Sequence, residues 1–395
     1  MDWIITKTLW AGYRILNQTW IFDANPEWWH QKAMAIGDFV EQRVWGILNL
    51  IKSSSTLRYE EMFQWWEIGG VEIKNRVWLA AWFAKQPHGL KAWESLGFGW
   101  ISIWGITRDA QDWRDKPRLW REQEDINGQP IEAARNFMWF PGPGRDEVIK
   151  MLKQRRAAWL ETDIPVFANL ASSKSVLDTY LQTKNYEPVI EEFVENIEMF
   201  YEYADGFEVN VSCPNQAGVT AQQDKDKIGR LLKAVIEKRE EIAKRTWVRK
   251  PILVKVAPMT LREWSNLPIK DQTRDGLISI AQACNENNVD GVIATNTSIE
   301  HIGRISESDM NGGLSGEPIF EQSLATVKLL RQHLNTSIKI IGVGWINSGE
   351  KALQMLDAGA EAVQMYTPFV YDISTPFRVK EVIQARFTSL YRGEQ

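Results

Sequence analysis

Apolar runs of strand length recur from residue 77 to residue 365, and helical patterning fills the gaps between them. The runs are Val77–Trp82, Trp100–Ile103, Pro165–Leu170, Phe207–Val211, Ile252–Val256, Gly291–Thr295, Ile338–Val343 and Ala362–Met365. Apolar positions at helical spacing mark Glu187–Tyr203, Ile228–Lys244, Gly276–Asn287, Ser323–Leu334 and Gly349–Ala358. Continuous apolar runs suit strands buried on both faces, and their alternation with helices suits parallel βα units. Eight similar units predict an α/β chain closed into a (β/α)8 TIM barrel, with an open doubly wound sheet as the alternative. No GxGxxG follows the first run, which argues against a dinucleotide fold.

Two flanking features precede the first unit. Residues 1–56 are helical in character, with a turn at Asp23-Ala-Asn-Pro26, and they carry five basic and five acidic side chains. An apolar face without net charge reads either as a membrane-surface contact or as a helical cap on the barrel. Ile68-Gly-Gly-Val-Glu-Ile73 signals a hairpin turning at Gly69-Gly70, placed to plug one end of the barrel. The predicted division is residues 1–56 as an N-terminal helical extension and 57–395 as the barrel domain.

Composition narrows the class. The chain has 395 residues and a formal net charge of -5, so it lacks the basic footprint of a nucleic-acid binder. No run of 18 apolar residues signals a transmembrane helix. Two cysteines, Cys213 and Cys284, make no disulfide framework and point to a reducing cytoplasm. Cys284 lies on the apolar side of a helix pattern and reads as core filler. Four histidines show no paired-ligand spacing, so no metal site is expected.

Barrel chemistry sits at the C-terminal strand ends. Following the runs in order, those ends bring Lys85, then Thr107 with a long excursion over 108–144 containing Asn136, then Asn169. Asn210, Ser212, Cys213 and Asn215 follow at the fourth, Lys255 lies in the fifth, and Thr295-Asn296-Thr297 closes the sixth. Two lysines and five amides suit a planar, anionic, hydrogen-bonding ligand. Three turns at successive later strand ends, Gly312-Gly-Leu-Ser-Gly316, Gly342-Val-Gly344 and Tyr366-Thr367, suit a phosphate.

The segments Leu79–Lys85, Lys116-Pro-Arg-Leu119, Asn210-Val-Ser-Cys-Pro-Asn215, Val254-Lys-Val-Ala-Pro258, Gly291–Thr297, Gly312–Gly316 and Gly342–Gly344 together resemble the dihydroorotate dehydrogenase family over roughly 57–385. The resemblance implies oxidation of (S)-dihydroorotate to orotate in pyrimidine (UMP) synthesis, with FMN as cofactor. It implies Cys213 as the base for the C5 proton. Lys85, Asn136, Asn210, Asn215, Asn296 and Thr297 would bind the substrate. Ala81, Lys85, Thr107, Asn169, Asn210, Lys255 and Thr295 would bind the flavin, and Gly316, Gly344, Tyr366 and Thr367 its phosphate. Gln216–Lys227 would form a lid. The extension, with Asp23-Ala-Asn-Pro-Glu27, resembles that of the quinone-reducing class and implies a peripheral position on the cytoplasmic membrane face. Cys213 instead matches the soluble class, where the quinone class has Ser, so fumarate or NAD stands as the alternative acceptor.

A further departure concerns tryptophan, of which there are 20. Trp78, Trp82, Trp104, Trp113, Trp139 and Trp345 stand where the family pattern has glycine. The expectation is that many of these letters are glycine in the native chain, because some bacterial lineages decode UGA as glycine where a common table reads tryptophan. The doublets Trp28-Trp29 and Trp65-Trp66 fit this. The competing readings are a designed or mutated sequence and a barrel that has lost its flavin.

Overall fold

The structure is a computed structural model that describes residues 26–43, 66–84, 87–116, 118–124, 128–158, 160–213, 224–259, 273–299 and 312–392. Eight parallel strands close a barrel in the order β3 (Val77–Ala84), β4 (Trp100–Ile106), β7 (Val166–Leu170), β8 (Gly206–Asn210), β9 (Ile252–Val256), β10 (Gly291–Ala294), β12 (Lys339–Val343) and β13 (Ala362–Met365). Each strand begins and ends within a few residues of its apolar run. Helices α2 (Leu90–Ser95), α3 (Arg145–Ala157) and α4 (Lys174–Thr183) accompany the earlier strands, and α5 (Glu187–Phe200), α6 (Lys225–Thr246), α7 (Arg274–Glu286), α8 (Phe320–His333) and α9 (Gly349–Asp357) lie between the later strands, as the patterning predicts. Polar caps mark three of these starts: Asp224 accepts from Asp226 and Lys227, Thr273 from Gly276, and Ser348 from Lys351.

Alternation within each strand sorts two cores. Outward residues such as Leu79, Ile101, Ala168, Val209 and Val254 join the helices in the main core, which also holds Cys284. Burial pushes the Cys284 thiol up to about 12, consistent with a filler role. Inward residues Trp78, Trp100, Phe167, Leu253, Ile293 and Ile341 form a second cluster at the N-terminal end of the strands. The hairpin β1 (Trp66–Ile68) and β2 (Val71–Ile73) seals that end through Trp66, Ile68 and Ile73. Gly206 makes room there, since a Cβ on it would lie 2.1 Å from the Phe167 ring.

The excursion after β4 differs from a simple loop. It folds as β5 (Leu119–Glu124) against β6 (Pro130–Asn136), and β11 (Gly313–Gly316) adds antiparallel to β6. The sequence reading took 312–316 as a phosphate turn, but its last four residues are a strand. Glycine serves close strand approach here: a Cβ on Gly316 would sit 2.5 Å from the Ala133 Cα.

Of the N-terminal extension, helix α1 (Pro26–Arg43) is described, and it docks on the barrel. Glu27 forms a buried pair with Arg118, and Glu41 with Arg155 at 2.6 and 2.7 Å. Glu41 also accepts from the Lys91 backbone at 2.8 Å. The Asp23–Asn25 part of the expected turn and the doublet residue Trp65 lie outside the described residues. No described helix is long and apolar enough to cross a membrane.

Removing one partner of a buried pair strands the other charge, at about 3–5 kcal/mol. Glu41→Ala is therefore expected to undock α1. Limited proteolysis within 26–43 should speed up by roughly a hundredfold, while the barrel keeps its own thermal transition.

Candidate active site

The C-terminal end of the barrel interior is polar where its other end is aromatic. Ser102, Asn169, Glu208, Asn210, Lys255, Thr295 and Gln364 are all 3% exposed or less. They occupy inward positions of six strands or the residue just beyond one, so closure brings them together. Burial of this kind is costly unless each group is bonded. Glu208 accepts from Ser102, from Asn169 Nδ2 at 2.6 Å and from Gln364 Nε2 at 3.4 Å. Asn169 Oδ1 accepts from Asn210 Nδ2 at 3.0 Å. Asn210 Oδ1 accepts from the Ser212 backbone and hydroxyl, each at 3.3 Å. Ser212 Oγ accepts from Asn296 Nδ2 at 3.1 Å, and Asn296 Oδ1 from the Thr297 backbone at 2.8 Å.

Above this layer a cleft opens at the C-terminal mouth of the barrel. Asn136, Lys255, Thr295, Asn296, Thr297, Gly316, Gly344, Tyr366 and Thr367 all line it. Asn136 reaches it from β6 and Gly316 from β11, so the small sheet forms one wall. At the other wall Gly344 has φ 137°, and a Cβ on it would meet the Ser323 hydroxyl at 2.3 Å. Trp345 follows at φ 47° and lines the cleft with its edge against Tyr371.

Five described candidates do not line the cleft: Ala81, Thr107, Asn169, Asn210 and Cys213. Ala80, not Ala81, faces the cleft, because the strand alternation sets the two on opposite sides. Thr107 is buried in the excursion, where its hydroxyl donates to the Asp109 carbonyl and accepts from Gln111. Asn169 and Asn210 lie below the cleft lining, and their described bonds run to each other, Glu208 and Ser212. Lys85, Asn215, residues 216–223 of the expected lid and the side chains of Trp82 and Trp104 lie outside the described residues.

Cys213 is fully buried just beyond the end of β8. Two cations sense it. Burial pulls the Lys255 ammonium below its usual range, opposed first by Glu208 and then by Cys213. Burial also lowers the Arg114 guanidinium, with Cys213 pushing the other way. Arg114 lies over Phe137 at 3.7 Å and Trp139 at 4.3 Å, which fixes it near the thiol. The arrangement combines a thiol, two neighbouring positive charges and an ordered row of amides. Such a set can hold a flat anion and remove a proton from it.

A family model for dihydroorotate dehydrogenase matches residues 65–387. The chain belongs to the dihydroorotate dehydrogenase family. A relative named dihydroorotate dehydrogenase (quinone), from Christiangramia forsetii, is 34% identical over 80% of this chain and 83% of its own. One of the same name from Gloeobacter violaceus is 32% identical over 94% of this chain and 93% of its own. Among solved structures, the Eimeria tenella dihydroorotate dehydrogenase in complex with ferulenol superposes with a TM-score of 0.66 at 26% identity, covering 82% of this chain and 84% of that one. Within this dihydroorotate dehydrogenase fold, sequence reasoning passed over Glu208 and Arg114. A charge two residues before Asn210, on the same strand face, was the available signal for Glu208; nothing in the excursion's polar composition singles out Arg114.

The two thiols should separate chemically. In alkylation followed by peptide mapping at pH 8, Cys284 is expected to stay unlabelled until the protein unfolds, since its thiol is pushed up to about 12. Cys213 is also buried but lies beyond the end of β8, next to the polar row under the cleft, so it should be labelled before Cys284.

Proposed function

We propose that this protein oxidises (S)-dihydroorotate to orotate in pyrimidine synthesis, with FMN as its bound cofactor and a quinone as acceptor. The observation that carries this is the buried hydrogen-bonded row Asn169, Asn210, Ser212 and Asn296, with Cys213 the next residue after Ser212 beyond the end of β8. Membership of the family and the names of the relatives give the activity its prior.

The cleft chemistry suits FMN. Lys255, Thr295 and Asn296 offer a buried charge and polar groups at one side. The Gly344 turn and Thr367 offer a narrow backbone cradle at the other, suited to phosphate. When bound there, FMN supplies the acceptor for the hydride leaving C6. The protein's share is the proton and the orientation. Cys213 as thiolate removes the C5 proton, and the two cations stabilise that thiolate. Asn136, Asn296 and Thr297 orient the acid and the ring amides of the substrate, with Lys85 and Asn215 assigned alongside them. The buried barrel floor excludes water from below, and the proposed lid over 216–227 would exclude it from above.

For the acceptor, the relatives' names favour a quinone. On α1, Ile36 and Phe39 are 57% and 61% exposed while Glu27 and Glu41 anchor the opposite side. That outward apolar pair supports residues 1–56 as a peripheral membrane contact on the cytoplasmic side. Fumarate and NAD remain the comparison acceptors because of Cys213. Trp345 in the cleft wall favours a second reading, a barrel without flavin. A purified protein with flavin absorbance that forms orotate with a quinone analogue supports the first reading; a colourless protein that FMN cannot reconstitute supports the second.

Cys213→Ala should lower kcat by ~10²–10⁴ with flavin retained, the usual scale for loss of a positioned base. Arg114→Ala removes a cation that favours the thiolate, so the acid limb of the pH–rate profile should move to higher pH. An unmoved limb would separate Arg114 from the base.

A further inference from the structure

We propose that Glu208 is a positioning residue: as the one carboxylate in the hydrogen-bonded chain below the cleft, it anchors the Asn169 end of that chain, whose other amides are oriented by the Ser212 and Thr297 backbone N–H groups, and it balances Lys255. It lines no part of the cleft. The argument starts from what a carboxylate can do. Ionised, it only accepts. Asn169 must therefore turn its Nδ2 to Glu208, at 2.6 Å, which leaves its Oδ1 for the next residue. Asn210 then has to donate to Asn169, at 3.0 Å, and its own oxygen faces Ser212. The Ser212 hydroxyl spends its proton on that oxygen and so accepts from Asn296.

Each side chain thus donates toward Glu208. An amide carries two N–H groups, and the chain uses one from each of Asn169, Asn210 and Asn296. The polarity leaves the second donor of Asn296, the member that lines the cleft, for a ligand, while the three oxygens are occupied by protein groups. An anion such as orotate needs donors. A reversed chain would offer it oxygens. Glutamine in place of Glu208 can donate as well as accept, so Asn169 loses its obligatory acceptor and can turn its oxygen down, which sets it against the Asn210 amide that the Ser212 backbone holds in place. The same substitution removes the first group that opposes the burial of the Lys255 charge.

This inference rests on the dihydroorotate reading above, and its test separates the two. Orotate affinity and flavin midpoint potential are measured on the flavin-loaded unaltered protein, Glu208→Gln and Ser102→Ala. Ser102 also bonds Glu208, from the side that leads away from the amides. Glu208→Gln is expected to weaken orotate by roughly tenfold or more, about the worth of one hydrogen bond to a charged group. It should also raise the midpoint potential, because Lys255 loses its counter-charge. Ser102→Ala should leave orotate affinity within about twofold, since it leaves the polarity intact. Equal losses in both variants, or no loss in Glu208→Gln, would overturn the role. Should Glu208→Gln fail to fold, the pair Glu208→Gln with Asn169→Asp returns an acceptor-only group one place along; recovery of folding and orotate affinity supports the role, and no recovery overturns it. An unaltered protein that ignores orotate overturns the functional reading itself.

A separate observation concerns backbone conformation. We infer that positions 78, 247 and 345 are glycine in the protein as its own cell makes it. Of four described non-glycine residues with positive φ, two are tryptophan, Trp247 and Trp345. Trp247 ends the 22-residue α6 at φ 60° and ψ 17°, with its N–H on the Ala243 carbonyl at 2.8 Å. That is the left-handed helix stop glycine normally fills. Its side chain is 92% exposed, so packing contributes little to offset the strain. Trp78 stacks on Trp100 with ring centroids 3.0 Å apart, closer than the ~4.5–7 Å of favourable aromatic pairs. Its buried Nε1 has no partner, while that of Trp100 donates to Ser102. Trp93, by contrast, donates to the His88 carbonyl and sits edge-on to Phe83 at 5.0 Å, as a true tryptophan would. Peptide sequencing by mass spectrometry of the protein from its native cell is expected to read glycine at 78, 247 and 345 and tryptophan at 93. Tryptophan at 247 and 345 would overturn the inference.

Discussion

A carboxylate buried at the centre of a closed barrel governs this structure. Glu208 has no exposed surface, and a charge in that position is tolerable only where donors surround it. Ser102, Asn169 and Gln364 supply them from three other strands, which ties four strands through one group. The apolar helices and outer strand faces supply the larger share of burial. Yet burial is non-directional, and it does not decide which way an amide points. The carboxylate does so for Asn169, and the Ser212 and Thr297 backbone N–H groups do so for Asn210 and Asn296. Directed polarity in a dry interior is the property the proposed chemistry needs, since an amide row with mixed orientation would meet an anion with as many oxygens as donors.

The two ends of the barrel divide the labour. At the N-terminal end the inward residues are aromatic and aliphatic, and a hairpin closes over them. At the C-terminal end they are polar, and the walls rise further through the β5–β6–β11 sheet. The apolar floor keeps water from the amides, which strengthens each bond above it. The sheet wall brings Asn136 to the cleft from far outside the barrel strands. Helix α1 is held by two buried acid–arginine pairs and keeps Ile36 and Phe39 outward. An ionic attachment of this type fixes orientation, so the exposed apolar pair has a defined direction relative to the cleft wall.

Much of this was legible before any coordinates. Barrel strands are buried on both faces, so their apolar runs stand out, and all eight lie where the runs predict. The excursion strands were not legible for the opposite reason. β5 reads Leu-Trp-Arg-Glu-Gln-Glu, polar on both faces, because it is an edge strand outside the core. β11 is half glycine and reads as a turn, yet it pairs with β6, and Gly316 combines a close approach to Ala133 with φ 105° at the strand's end. Most proposed site residues announced themselves as polar groups at strand ends. Glu208 did not, because a single charge inside an apolar run acquires meaning only when barrel closure gives it partners. Arg114 resembles any solvated charge until Phe137 and Trp139 are seen to hold it.

The same distinction separates the tryptophans. A large aromatic ring is informative when its surroundings are shaped to it, as Trp93 is by Phe83, His88 and a glycine at position 37 whose added Cβ would strike the ring at 2.7 Å. Trp247 touches almost nothing and stands in a backbone conformation that side chains avoid. Trp345 combines the same backbone region with a place in the cleft wall. Function and decoding therefore meet at one position. A glycine at 345 would continue the Gly344 turn as bare backbone and widen the cradle proposed for phosphate, whereas an indole narrows it. The donor chemistry of the cleft is complete either way, since Lys255, Thr295 and Asn296 reach it from strands that carry no tryptophan.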